Sequence, residues 1–360
     1  MSDDIFSKLF ELFDQPGPIN WKLAAEVARS ITGDRVPVEP WAAEEYRELA
    51  RLIEYRLEPI SPFRITPAPD VTPVDPREWA ETHLENYGRV VEPFGDSVTG
   101  EGPAAPLMAQ LKPAMIGLQV GSLVGSLSTW CVATFDAGIP PDRPGDLAII
   151  APNVDKLIAN TEVDEKEVRL WVVANEVAFR AVSDIPWIQD HLARLVERYA
   201  EAVKIDPTQL SGLMMGGSDP AAIEAAIEEA GGIEQLIGGE EAEAPRLELE
   251  AFLGAITGCA RLLSRRSTAE LSPNFDRISK DRDQLRESDL DATPGLVGVG
   301  AVPPEVTNLG DAFNQEVERR YGDDALVTLW ADPTRMPTAA ELRDPTAWAA
   351  RVLLDGWTAQ

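Results

Sequence analysis

The segment 169–180, which reads RLWVVANEVAFR, comes closest in this sequence to the spacing of a hydrolytic metal site. In the HExxH pattern, two histidines four residues apart on one helix face bind zinc. The glutamate that follows the first histidine activates the bound water as a general base. The corresponding positions here hold Asn175, Glu176 and Phe179. The glutamate is present, and both histidines are replaced.

These replacements predict that the segment does not bind zinc tightly. An asparagine carbonyl is a weak zinc ligand and a phenylalanine ring is none, whereas three protein ligands are normal in a catalytic site. We therefore expect no metal and no other cofactor, unless unrecognised residues supply ligands for zinc. Glu176 is either a general base, retained or vestigial, or a structural partner of Arg180 four residues on. The structural interpretation is favoured, and such a pair contributes about 0.2–0.5 kcal/mol on a helix surface.

The other candidate residues are weaker. His83 and His191 are the only histidines, and neither has a ligand-like spacing with a second His, Cys, Asp or Glu. Ser183, Asp184 and His191 would form a catalytic triad only if the fold happened to bring them together. The sequence contains no GxGxxG, P-loop or CxxC motif, so motifs for nucleotide or redox chemistry are absent.

The elements that must position segment 169–180 are mostly helices. Apolar residues recur with helical period, and a capping-box variant of Asp164 and Glu167 begins the helix that carries this segment. A short apolar run bounded by turn residues, 146–152, is the best strand candidate. The predicted helices are 21–30, 40–57, 77–87, 164–182, 186–203 and 247–264.

The segment 113–135 contains no charged residue and is long enough to span a bilayer. Gly117, Gly121 and Gly125 repeat every four residues along it, which allows two helix backbones to approach closely. Its Gln, Ser and Thr residues lower its hydrophobicity, so a central buried helix is favoured over a membrane span.

Composition divides the chain without isolating a second core. A helical N-terminal region, residues 1–204, includes helix 164–182 and is followed by an acidic insertion rich in Gly, Ala and Glu at 205–245. A helical C-terminal region, residues 246–360, completes the same overall domain, and a polar stretch at 274–291 separates its two ends. The predicted fold class is mainly α with a small β-sheet.

The overall charge limits the partners. The chain has 61 acidic and 32 basic residues, a formal net charge of -29, which repels nucleic acid and anionic membranes. Its two cysteines, Cys131 and Cys259, argue against the disulfide framework of a secreted protein. The acidic N-terminus lacks the features of a signal peptide, so a cytoplasmic location is expected.

Five segments of the chain resemble one known family. They are GPINWKLAAEVA, GLQVGSLVGSL, PGDLAIIAPNV, RLWVVANEV and DPTRMPTAAELRDPTAWAARV. Together they are similar to the actinobacterial zincin-like family of predicted zinc-dependent metalloproteases, whose members are often labelled hydrolases. The resemblance spans nearly the whole chain and implies a zincin-like metallopeptidase fold around the central glycine-striped helix.

The resemblance also assigns positions. The resemblance aligns the family's two metal-binding histidines with Asn175 and Phe179, and its general base with Glu176. This chain therefore carries a degenerate HExxH motif. Family members tend to have an acidic-Gly-His cluster on a later helix, and the matching stretch here is Thr257, Gly258 and Cys259. Cys259 is then a third degenerate ligand position.

Three functions follow from these observations. The favoured one is a non-catalytic pseudo-metallopeptidase that binds or scaffolds a protein partner, which could be an active homologue or a second copy of itself. The alternative is an active zinc-dependent hydrolase that uses Glu176 as general base with non-standard ligands. A membrane-associated protein that uses segment 113–135 is the least favoured.

Overall fold

The computed structural model describes residues 17–67, 70–96, 105–141, 147–203, 233–291 and 300–354. Helices dominate these ranges, as the sequence predicts, and two short strands form a small sheet. The helices are α1 (Trp21–Thr32), α2 (Ala42–Leu57), α3 (Pro76–Val91), α4 (Ala105–Trp130), α5 (Ala151–Asn160), α6 (Glu165–Ser183), α7 (Ile188–Ala202), α8 (Ile233–Thr268), α9 (Phe275–Asp291), α10 (Pro304–Tyr321), α11 (Asp323–Leu329), α12 (Ala339–Arg343) and α13 (Pro345–Leu353). The strands are β1 (Val71–Val74) and β2 (Leu147–Ile150), and short 3₁₀ helices cover Glu92–Asp96 and Pro333–Arg335.

The helix α6 is buried along almost its whole length from Val168 to Ser183 and packs against α2 and α8. Its first turn is capped by Asp164, whose carboxylate accepts a hydrogen bond from the Lys166 N–H at 2.9 Å. The predicted capping box is wrong in its second bond, in which the Glu167 side chain would accept the Asp164 N–H. Glu167 instead accepts hydrogen bonds from Ser272 and Asn274 before α9. Glu167 therefore ties the start of α6 to the loop that leads into α9.

The glycine stripe of α4 lies against α1. A Cβ atom built on Gly117 would come within 2.4 Å of the Asn20 carbonyl oxygen, and one on Gly121 would come equally close to that of Ala24. The prediction of a buried central helix is confirmed. Among the described residues, none of the helices combines the length and the apolar character that crossing a membrane requires.

Gly121→Ala is expected to lower the free energy of unfolding by about 1–3 kcal/mol, because the new methyl group overlaps backbone atoms of α1. Gly125→Ala is the milder comparison and should cost less, since a Cβ there would meet its nearest atoms at 3.1 Å, a tight contact that a small shift relieves. Both changes gain about 1 kcal/mol of helix propensity. Urea unfolding of the two variants checks the expectation, and equal stabilities would contradict it.

The sheet pairs β1 and β2 in parallel, with Val71 opposite Leu147 and Val74 opposite Ile150. The strand predicted at 146–152 is confirmed in its middle, although Ala151 already begins α5. Strand β1 was not predicted, because it lies in a proline-rich segment. Its Pro73 is compatible with an edge strand, where no partner needs its missing N–H.

The segment before β2 in the chain runs along the other side of that strand. The N–H of Ile150 donates to the Val132 carbonyl at 2.8 Å, and the N–H of Thr134 donates to that of Ala148 at 3.0 Å. The side chain of Asn153 donates to the carbonyls of Ser128 and Cys131 at the end of α4. These bonds fix the loop 131–138, which faces α6.

The segment 274–291, interpreted from the sequence as a polar separator, is the helix α9. It was missed because three of its buried residues, Arg282, Asp283 and Arg286, are charged and so hide the apolar period. Residues 233–245 of the predicted insertion belong to α8, and 204–232 lie outside the described residues.

The crossing of α8 and α10 depends on glycine. A Cβ on Gly258 would lie 2.0 Å from the carbonyl carbon of Gly310, and one on Gly310 would lie 1.7 Å from the carbonyl oxygen of Gly254. The two backbones can therefore touch directly. This contact brings α10 to the same cavity that α6 and α8 line.

Candidate functional site

Glu176 lies in the interior, where its side chain reaches the loop 131–138. Only 3% of the residue is exposed, and its carboxyl oxygens accept the N–H of Phe135 at 3.0 and 3.2 Å. The sequence predicted that Glu176 and Arg180 pair on the helix surface, and the surface location is wrong because both residues are buried. The Nε of Arg180 lies 3.6 Å from an Oδ of Asp184. Sequence periodicity could not show this, because α6 is buried on nearly all sides.

The interior position changes the acidity of Glu176. Burial raises the pKa of its carboxyl group well above the usual range, the Phe135 N–H opposes this, and the nearby charge of Asp136 raises the pKa further. The protonated form is therefore favoured over a wider pH range than for an exposed glutamate. A protonated carboxyl group cannot accept a proton from water as a general base.

The two positions that the resemblance assigns to histidines are held by contacts within the protein. The side-chain amide of Asn175 donates to the Trp171 carbonyl one turn earlier at 2.8 Å. The ring of Phe179 stacks on that of Phe135, with centroids 4.9 Å apart and planes inclined by 18°. Both side chains thus have packing or hydrogen-bonding roles.

Asn175, Glu176 and Phe179 share one cavity of about 50 Å³. Its volume accommodates about three water molecules or a group of similar size. The loop 131–138, α6, α8, α9 and α10 all contribute to its wall. Its charged and amide side chains are Asp136, Asn175, Glu176, Arg261, Arg282 and Arg286.

Arginines dominate the charge of the wall. Arg282 forms a buried ion pair with Asp136 and also donates to the Trp130 carbonyl at 3.2 Å. Although burial alone would raise the pKa of Asp136, the guanidinium groups of Arg282 and Arg286 lower it below its usual range. Arg261 is held in a bidentate pair with Asp283 at 2.8 and 3.0 Å.

Zinc does not fit this wall. The three motif positions offer an amide, a carboxyl group with a raised pKa and a benzene ring, so the normal set of three zinc ligands is missing. Three guanidinium groups also line the cavity and repel a divalent cation. In the described ranges, no cluster of three or more His, Cys, Asp or Glu residues could hold a metal ion.

Cys259 lies apart from the cavity. It is fully buried in α8, and burial raises the pKa of its thiol. Its neighbour Thr257 lines the cavity, whereas Gly258 forms the close contact with α10. Of the stretch that the resemblance aligns with an acidic-Gly-His cluster, only the threonine reaches the candidate site.

The histidines and the suggested triad are also elsewhere. His83 stacks on Trp79 and hydrogen-bonds its carbonyl through Nδ1 at 2.8 Å, and burial lowers the pKa of this imidazole to about 4. Ser183 donates its hydroxyl to the Phe179 carbonyl at 2.9 Å, and His191 packs edge-on against Phe252. No serine–histidine hydrogen bond is formed between them.

Sequence reasoning missed the basic wall of the site. Arg282 and Arg286 are four residues apart on α9, a spacing that places them on one helix face. That spacing was the available signal, but it sits in a stretch rich in both charges. Only the packing of α9 against α6 shows that the two arginines face inward.

Comparisons with known proteins agree with this architecture. A model of the family described as zincin-like metallopeptidase matches residues 19–349, and no curated protein matches the chain. The chain is also similar to a crystal structure from Chloroflexus aurantiacus described as that of a "putative hydrolase with a novel fold". The two share 18% identity and a TM-score of 0.67 over 92% of this chain and 98% of the other, which shows a common fold. Because the family model spans most of the sequence, this chain belongs to the zincin-like metallopeptidase family.

Proposed function

We propose that this chain is a non-catalytic member of its family, with a degenerate HExxH motif, that works by binding another protein. The observation that carries the proposal is the state of positions 175 and 179. The Asn175 amide is hydrogen-bonded to its own helix, and the Phe179 ring is stacked on Phe135. Neither position offers an imidazole, so water activation by zinc lacks its ligands.

The environment of Glu176 supports the same proposal. Its carboxyl group already accepts the Phe135 N–H and has a raised pKa, mainly because it is buried. A general base must instead be ionised and within reach of the water it activates. The contacts of Glu176 are those of a residue that joins α6 to the loop 131–138.

A protein-binding role is supported by apolar side chains exposed on α2 and at its start. Trp41, Leu52 and Tyr55 are all exposed, and Tyr55 reaches 78% exposure. Their spacings of eleven and three residues place them on one face of a helix. We propose that the partner is an active homologue or a second copy of this chain, and that no cofactor is required.

Metal analysis of the purified chain tests the loss of catalysis. We expect no stoichiometric zinc and no chelator-sensitive peptide cleavage, with wild type and Glu176→Gln equally inactive, because the motif positions supply no imidazole. Stoichiometric zinc, or cleavage that stops with a chelator and is lost in Glu176→Gln, would support the active hydrolase instead.

The same preparation tests the partner. A tagged chain is used to capture its homologues from the native lysate, and sedimentation measures self-association. We expect Tyr55→Ser to weaken either association, while Val327→Ser, a change of an exposed apolar residue on α11, leaves it intact. Equal association of both variants would contradict the assignment of the α2 face.

A further inference from the structure

Arg286 is a buried cation that forms no salt bridge of its own in the described part of the chain, and it shares the charge of Asp136 with Arg282. Only 5% of the residue is exposed, and its Nη2 donates to the Val302 carbonyl at 2.7 Å. Within the described ranges, no carboxylate oxygen lies within 4 Å of its guanidinium nitrogens, whereas Arg261 pairs with Asp283 and Arg282 with Asp136. A buried cation whose nearby carboxylates are already paired with other arginines is only partly compensated, so this guanidinium group is prepared for an anion.

Unsatisfied hydrogen-bonding atoms accompany it. The Nε atoms of Arg282 and Arg286 and the hydroxyl of Thr307 are buried without a hydrogen-bond partner, and all three residues line the cavity beside Glu176. Most buried polar atoms in proteins are hydrogen-bonded, so three such atoms around one cavity indicate a missing acceptor. The two guanidinium groups lie 5.4 and 6.0 Å from the centre of the Trp130 ring, which orients them together.

The balance of charges around the cavity favours a ligand with one negative charge. The guanidinium groups of Arg261, Arg282 and Arg286 carry three positive charges, and Asp136 and Asp283 carry two negative charges, which leaves one positive charge. Asp289, at 3.9 Å from Arg282, is more than one-third exposed, so solvent screens its charge. Burial holds the pKa of Glu176 high, so its carboxyl group adds little negative charge.

The size of the cavity further limits the kinds of anion that can bind in it. A volume of about 50 Å³ accommodates a carboxylate group, and because the cavity is only partly enclosed, the rest of a ligand can extend out of it. The guanidinium groups of Arg282 and Arg286 and the hydroxyl of Thr307 belong to residues that line the cavity, and they suit a planar acceptor with two oxygens, which the guanidinium fork recognises well. A phosphate with four oxygens and more than one charge fits both the volume and the charge less well.

We infer that the cavity beside Glu176 binds a single carboxylate group through Arg286, Arg282 and Thr307. The carboxylate comes either from a free small acid or from the C-terminus of a polypeptide. This inference rests on the proposed function, because a zinc site at Glu176 would need the same space.

Titration of the full-length chain with acetate tests the inference, with binding followed by calorimetry or by NMR of ¹³C-acetate. We expect one saturable site that chloride does not fill. Arg286→Gln should weaken binding about tenfold or more, since a charge-assisted hydrogen bond is lost. Thr307→Val, which is nearly isosteric and should fold normally, should weaken it about threefold. Arg277→Gln, an exposed change on the same helix, should leave it unchanged.

Two peptides distinguish the sources of the carboxylate. Trialanine with a free C-terminus should bind more tightly than acetate if the natural ligand is a chain end, and less tightly if it is a small acid; either result supports the site. Absence of saturable acetate binding would overturn it, as would unchanged affinity in Thr307→Val and Arg286→Gln, or equal binding of trialanine amide. Zinc is measured in the same sample. Stoichiometric zinc would contradict the proposed function. Metal-free protein that does not bind acetate would contradict the carboxylate site alone.

Discussion

Arg282→Met is expected to lower the free energy of unfolding by about 3–5 kcal/mol. The side chains of Arg282 and Asp136 are 3% and 9% exposed, so removing the guanidinium group leaves a buried carboxylate without its main counter-ion. Asp136 would retain the Val132 N–H as a donor at 2.9 Å, which is insufficient to replace a charge partner. Urea unfolding at pH 7, with the slope compared with that of wild type, measures the loss.

The control for this change is Arg277→Met on the same helix. Arg277 pairs with Glu162, whose side chain is 92% exposed, and we expect a change within about 0.5 kcal/mol. The pKa of Asp136 is lowered in the folded protein, so its contribution to stability is present above the unfolded pKa and is lost as pH falls through the folded value. The Arg282→Met penalty should therefore shrink in acid. A loss below about 1 kcal/mol at pH 7 would show that the pair matters little.

Glu176→Gln should gain stability relative to wild type as pH rises above the pKa that Glu176 has in the unfolded chain. The pKa of Glu176 is raised in the folded protein, so its favourable contribution is complete below the unfolded pKa and is lost as pH rises through the folded one. Wild type should lose about 1.4 kcal/mol for each pH unit between these two values. Glutamine keeps an acceptor for the Phe135 N–H and has no proton to lose, so it escapes this loss.

Unfolding of both proteins at pH 5 and pH 8 checks this expectation. The charged groups around Glu176 whose pKa is shifted, namely Asp136 on the loop and Arg282 and Arg286 on α9, are expected to keep their charge between these two pH values. The lowered pKa values of His83 and His191 affect both proteins alike and cancel in the difference. Glu287→Gln, which changes an exposed residue of α9, is the control, and its free energy of unfolding should change between pH 5 and pH 8 as that of wild type does. A wild type that is stabilised towards pH 8 relative to Glu176→Gln would contradict a raised pKa.

Much of the fold could be predicted because its signals are local. The helix α6 begins at the predicted cap Asp164, and α4 uses the glycines at 117, 121 and 125 for the predicted close contact. Strand β2 lies within the predicted apolar run. These predictions needed only the side-chain period and the steric properties of glycine, which neighbouring residues encode.

The errors share a physical cause. Strand β1 is stabilised by its pairing with β2, which lies more than seventy residues away, and α9 buries arginines that pattern rules assign to solvent. The surface position expected for Glu176 was wrong for the same reason, since periodicity does not show how many neighbours surround a helix. Each of these features depends on partners that are distant in sequence.

The sequence alone determined which side chains are available at the motif positions: an amide at 175, a carboxyl group at 176 and a ring at 179. Those identities already predict the lack of zinc ligands, because ligand chemistry belongs to the residue and not to its surroundings. Only the tertiary structure decided what surrounds them. Burial by distant helices raises the pKa of Glu176, and the convergence of α8, α9 and α10 lines its cavity with arginines, because both effects depend on long-range packing.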